Sequence, residues 1–207
     1  MSQAALQQRA ATRSGVAAGR FSDPGLAYQW HYTNSGNNAF DKTNSTGETL
    51  AGSIAGCDVG CYEAWQKCTG DPSVIVAVLD DGVMYTHPDL AGNIWVNDKE
   101  ELYAGTDADG NGYKDDRYGY NFVHNTAAIS WTDVNDIGHG THVSGTIAAM
   151  NNGYGVCGIA GGDGTKDSGV KIMICQVFAG DNSVSLNGEA QAIKYAADNG
   201  AVILQCS

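Results

Sequence analysis

Residues 72–82, PSVIVAVLDDG, form an unbroken β-branched run that closes on two aspartates and a glycine. A strand with one wetted face alternates apolar and polar residues. This stretch does not, so it reads as a strand buried on both faces. Two later runs share its character, GVKIMICQVF (169–178) and AVILQCS (201–207). Between them lie segments of helical spacing. GTHVSGTIAAM (140–150) repeats small and apolar residues at that period, and LNGEAQAIKYAADNG (186–200) ends on Gly200, the usual residue just past a helix. Upstream, VGCYEAWQKCTG (59–70) places Tyr62, Trp65 and Gln66 at helical offsets and stops at Gly70. Strand and helix alternate repeatedly, which predicts an α/β fold with a parallel sheet covered by helices. The sequence has no internal repeat.

Composition narrows the class. The 207 residues are enough for one domain with a sizeable core. Charged residues make up only 16%, and 28 glycines stand against 3 prolines, which fits a compact, glycine-turned domain. Eleven basic and 23 acidic residues give a formal net charge of −12, a balance that repels phosphate backbones and disfavours nucleic-acid binding. No run of about 18 apolar residues exists, so no membrane span is expected. The opening MSQAALQQRAATRSG lacks the apolar core of a signal peptide, so any export signal is expected outside this chain. Residues 1–24 read as a flexible arm, propeptide end or linker, and 28–56 as surface loop with aromatic anchors; the domain is placed at 25–207. The six cysteines show no paired C-x-x-C zinc spacing. Cys175 and Cys206 sit in apolar runs and read as small hydrophobes, while Cys57, Cys61 and Cys68 leave a disulfide open without fixing its connectivity.

In parallel sheets functional groups collect at the carboxyl ends of strands, where Asp80 lies. An acid there can serve a phosphate site, a metal, or a histidine that it orients; it can also simply cap a turn. The stretch DIGHGTHVSGTIAAM (136–150) supplies two histidines, His139 and His142. A zinc-binding helix of the metalloprotease kind needs histidines at i and i+4 with a glutamate between them. Here the spacing is i, i+3 and the intervening residues are Gly140 and Thr141, which argues against zinc.

Taken together, VIVAVLDDGVMYTHPDL, DIGHGTHVSGTIAA and NNGYGVCGIAGG resemble, in order, the Asp signature, the His signature and the following Gly-rich segment of the subtilisin-like serine proteases (subtilases, peptidase family S8). The resemblance runs from about residue 72 to residue 207. It implies the N-terminal part of a catalytic domain, a three-layer α/β/α fold with a mostly parallel sheet, truncated at its C-terminal side. It matches Asp80 to the catalytic acid and His139 to the catalytic base of an Asp-His-Ser triad. His142 corresponds to a packed, hydrogen-bonded scaffold residue. Asp81 departs from the usual small hydroxyl residue after the acid, and Met84 from a frequent aspartate.

The nucleophile is expected in a G-T-S-M-A-x-P segment, and none occurs in the 207 residues; the oxyanion-hole asparagine is absent too. Ser144 reads as helix packing and Ser207 as the start of a substrate-binding edge. The implied enzyme is a serine endopeptidase acting on protein or peptide substrates, secreted or at the cell surface. This chain alone is expected to be inactive and to need the missing C-terminal half of its catalytic domain. A non-catalytic pseudoprotease and an α/β metal-dependent hydrolase using Asp80, His139 and His142 are the alternatives. A downstream G-T-S-x-A segment discriminates protease from pseudoprotease. FAGDNSVSLNG (178–188) is expected to form one wall of the cleft.

Calcium is the expected cofactor. DADGNGYKDD (107–116) sets Asp107, Asp109 and Asn111 at alternating positions, with the backbone of Tyr113 and the carboxylates of Asp115 or Asp116 available to close a shell. Position 12 of an EF-hand would fall on Tyr118, so the loop is not one. From the resemblance alone comes a second site: Asp89 of HPDL, Asn152, and the carbonyls of Met150, Tyr154 and Val156, with Gln29 as a weaker ligand.

Overall fold

The computed structural model describes residues 21–34, 36 and 54–207. Residues 1–20, the bulk of the expected arm, and most of the 28–56 loop lie outside the described residues. Phe21 and Asp23, assigned to the arm from sequence, are in fact buried. Phe21 meets the Trp65 ring edge-on at 4.9 Å.

The run at 72–82 forms strand β1 (Ile75–Asp80), buried along nearly its whole length. The main sheet also contains β2 (Gly119–Asn121), β3 (Lys171–Gln176) and β6 (Ile203–Cys206), in the order β2-β3-β1-β6. All its pairings are parallel, with Asp80 opposite Gln176 and Leu79 opposite both Cys175 and Cys206. A short antiparallel pair, β4 (Phe178–Ala179) with β5 (Asn182–Ser183), follows β3. Helix α1 spans Cys61–Trp65, α2 His139–Ala148 and α3 Leu186–Asp198.

The sheet separates two cores. On one face Val76, Val78, Val83, Leu90, Ile172 and Ile174 pack with Val143, Ile147 and Ala148 of α2. On the other, Ala77, Leu79, Met173 and Cys175 pack with Ala192, Tyr195 and Ala196 of α3. This is the expected α/β/α layering. Each fully buried Val, Leu or Ile adds about 1.5–3 kcal/mol. Because β1 is flanked by β3 on one side and β6 on the other, the strand order reverses at β1, and its carboxyl end sits at a topological switch point.

Several elements differ from the sequence reading. The helix at 59–70 is only one turn long. The expected loop at 97–121 ends in β2, whose three residues carry too little pattern to read. AVILQCS is an edge strand, with Val202, Ile203 and Leu204 exposed, because in the described structure only β1 pairs with it. Cys206 is exposed for the same reason, and all six cysteines are free. Helix α3 ends as read: Gly200 has φ +90, and Ser185 caps the start by accepting the Gly188 N–H at 3.3 Å. Among the described residues no helix is long and apolar enough to cross a membrane.

Gly82 fixes the turn after β1. Its φ is +96, and a Cβ there would collide with the Ser130 carbonyl oxygen. Gly82→Ala therefore combines backbone strain with a backbone clash, and should lower unfolding free energy by about 2–4 kcal/mol in urea denaturation.

Candidate active site

Asp80 ends β1 with its side chain only 4% exposed, and His139 opens α2 with its ring 48% exposed. The ring Nδ1 lies 2.9 Å from Asp80 Oδ1 and 2.9 Å from Oδ2. An ionised carboxylate can only accept, so the proton sits on Nδ1 and leaves Nε2 as the basic nitrogen. Asp80 Oδ1 also accepts the Asp81 N–H at 2.8 Å, which anchors the carboxylate.

The pKa of His139 is raised. The hydrogen bond that Nδ1–H donates to Asp80 is the main cause, followed by the charges of Asp80 and Asp81. A folded value above the unfolded one stabilises the fold below the unfolded pKa. That contribution is lost as pH rises through the folded pKa.

The contact depends on how closely α2 approaches the strand end. Gly140 lies against the Gly82 carbonyl and the side chains of Asp80 and Asp81, with no room for a Cβ. Gly138, at the N-cap position of α2, has no side chain to satisfy the helix's first amides. Asp81 does so from across the turn: Oδ1 accepts the Gly140 N–H at 2.6 Å and Oδ2 the His139 N–H at 3.1 Å. Thr141 Oγ1 accepts the Met84 N–H at 3.0 Å. Behind the turn, fully buried Gln176 holds Ser130, accepting its N–H at 3.0 Å and donating to its Oγ at 2.8 Å. The sequence marks Asp81 only as a departure from a pattern. The available signal was a second acid at a strand end facing a helix whose own cap residue is glycine.

His142 is exposed, not packed as the resemblance implied. It lines a cleft of about 460 Å³ together with His31, His87, Leu90, Ile137 and Val156, which neither Asp80 nor His139 lines. Among the described residues, only Glu100, Asp109 and Asp116 converge as a metal-competent trio of His, Cys, Asp or Glu. Ser144 is fully buried, as its packing role requires.

The acidic loop is built differently from its sequence reading. Ligand oxygens of Glu100, Asp109 and Asp116 lie within 4.8 Å of one another. Glu100 and Asp116 are fully buried, and burial raises the Asp116 pKa. Asn111 Nδ2 donates to Asp116 at 2.9 Å, and so does the Tyr195 hydroxyl of α3 at 2.7 Å. Asp107 instead accepts the Asn111 and Gly112 N–H groups at 3.1 and 2.9 Å. Asp115 accepts the Gly105 N–H at 2.7 Å. The Tyr113 N–H bonds Asn111 Oδ1 at 2.8 Å, and its ring packs on Tyr195. Glu100 was missed because it lies outside the 107–116 window.

At the second expected site, buried Asp89 accepts the Val156 N–H at 3.0 Å and Asn152 Nδ2 at 3.3 Å, and burial raises its pKa. The Met150 carbonyl accepts the Asn152 N–H, and the Tyr154 N–H bonds Asn152 Oδ1. Gln29 turns both amide ends to the Cys157 backbone, at 2.8 and 2.9 Å, so its oxygen is already engaged. Asp23, absent from the sequence reading, accepts the Asn152 and Gly153 N–H groups at 3.0 and 3.1 Å. Its other oxygen is buried without an N–H or O–H partner.

The family model for subtilases matches residues 71–207. The chain belongs to the subtilase family. It is 45% identical to subtilisin-like protease 1 of Plasmodium vivax over 106 residues, covering 50% of this chain and 15% of that protein. It is 33% identical to fervidolysin of Fervidobacterium pennivorans over 173 residues, covering 78% of this chain and 20% of that one. The serine protease of Aeromonas sobria, solved with its chaperone, superposes with a TM-score of 0.56 at 28% identity. It covers 85% of this chain and 23% of its own. This subtilase chain thus spans only 15–23% of the length of these relatives.

Asp80→Asn should move the His139 titration midpoint, read by NMR, down from its raised position. An unchanged midpoint would remove Asp80 as the cause.

Proposed function

We propose that the complete protein is a subtilisin-like serine endopeptidase acting through an Asp-His-Ser triad, with Asp80 as the acid and His139 as the base. The observation that carries this reading is the His139 Nδ1, 2.9 Å from both oxygens of a buried carboxylate at the switch point of the sheet. Family membership supports it independently. His139 Nε2 takes the proton from a serine hydroxyl as that oxygen attacks the peptide carbonyl. It then returns the proton to the departing amine, and the acyl-enzyme is hydrolysed by water in the same sense. Asp80 holds the tautomer and stabilises the imidazolium without itself taking the proton.

The serine would, on this reading, come from a G-T-S-M-A-x-P segment in the C-terminal half of the catalytic domain, a segment that the 207 residues do not contain. On this reading the 207 residues alone do not turn over substrate. The substrates are proteins or peptides, and the site of action is outside the cell or at its surface. Turnover of a chromogenic peptide by the complete protein should fall by about 10⁴-fold or more on His139→Ala. Turnover by the isolated chain that vanishes with the same change would refute the division of the triad.

Calcium is proposed as a structural cofactor. Glu100, Asp109 and Asp116 would hold one ion, a donor set of hard oxygens in which two of the carboxylates are fully buried. Asp107, Asn111, Tyr113 and Asp115 shape that loop. Asp89 with Asp23, Asn152 and the carbonyls of Met150, Tyr154 and Val156 would hold a second, supported by the buried Asp23 oxygen that no N–H or O–H group reaches. The ions would neutralise buried carboxylates and brace loops, taking no part in the chemistry. Calcium at about a hundredfold over Kd should raise Tm by roughly 5–10 °C. Asp109→Asn and Asp23→Asn should each remove part of that rise, and a melting temperature indifferent to calcium would discard both sites.

A further inference from the structure

We propose that Asp81 is a positioning residue for the base: by capping α2 from the strand turn, it fixes His139 against Asp80 and places a second negative charge beside the imidazole. The inference rests on the protease reading for its activity readout only.

Three observations converge on Asp81. Its two oxygens take the His139 and Gly140 amides separately, at 3.1 and 2.6 Å. The helix has no cap of its own, since Gly138 at that position lacks a side chain. The turn that carries Asp81 is locked on both sides: Gly140 is pressed against Gly82, and Gln176 reaches the Asp81 carbonyl at 3.4 Å. A carboxylate at a helix N-terminus is favoured by the local dipole and by charge-assisted hydrogen bonds. Because the capped amide is that of His139 itself, the cap sets the backbone from which the ring reaches Asp80. A small hydroxyl side chain could accept only with one oxygen and would bring no charge. The charged groups that face the ring are Asp80 at the end of β1 and Asp81 on the following turn. His142 lies one turn further along the same helix.

Three variants of the complete protein separate cap from charge. Asp81→Ala removes both; Asp81→Asn keeps an oxygen acceptor without the charge; Asp81→Ser restores the small hydroxyl. For Asp81→Ala, kcat should fall about tenfold with KM changed by less than about twofold, because alignment of the base matters most in the transition state. Asp81→Asn should recover kcat to within about threefold, and Asp81→Ser should fall between them. In all three the acid limb of the pH–rate profile should move to lower pH, since a charge that favours imidazolium is gone. A merely structural residue would lower the melting temperature without moving that limb. The proposal is overturned if Asp81→Ala keeps both kcat and the limb, or if Asp81→Asn is as impaired as Asp81→Ala. Absence of His139-dependent turnover in the unmodified protein would instead sink the protease reading. The His139 NMR titration then decides on Asp81 alone: a midpoint lowered in Asp81→Asn supports it, and an unmoved one rejects it.

Discussion

Two backbones, at Gly82 and Gly140, approach more closely than any side chain would allow, and the site follows from that approach. The partial positive charge at the amino end of the helix meets two carboxylates at the carboxyl end of a buried parallel strand. Asp80 and Asp81 then divide the work. One holds the imidazole, and the other holds the amides from which that imidazole hangs. Neither acid could reach its partner if the turn stood an ångström further out, since hydrogen bonds weaken steeply beyond about 3.2 Å.

Much of this is legible in the chain. PSVIVAVLDDG announces a buried strand because nothing in it alternates, and LNGEAQAIKYAADNG announces a helix because its apolar residues recur at helical spacing. Asp80 and His139 can be paired from sequence because the signatures that carry them are long. What escaped was decided by partners distant in sequence. β2 has three residues and exists by pairing with β3. Glu100 joins Asp109 and Asp116 from outside the loop that the pattern covers. The resemblance implies a packed His142, yet it lines an open cleft. Asp23 read as tail, because no local pattern reports that the 152–153 amides lie beside it.

The two oxygen-rich loops join the architecture in unlike ways. The first is wired into the layer behind the sheet, since Tyr195 of α3 donates its hydroxyl to Asp116 while its ring packs against Tyr113 and Phe122. The second is wired to the segment before α1, through Asp23 and Gln29. A cation at either position would therefore act on packing between layers rather than on one loop.

The segment around Phe21, Tyr32 and Trp65 has a kinetic implication. Its bonds to Cys157, Asn152 and Gly153 join residues 125 to 130 positions apart. Trp65 reaches the Ile159 carbonyl across 94. Closing loops of that length is entropically costly and brings no reward until the intervening sheet has formed. Loop closure of that length favours assembly of this clasp on a sheet already in place.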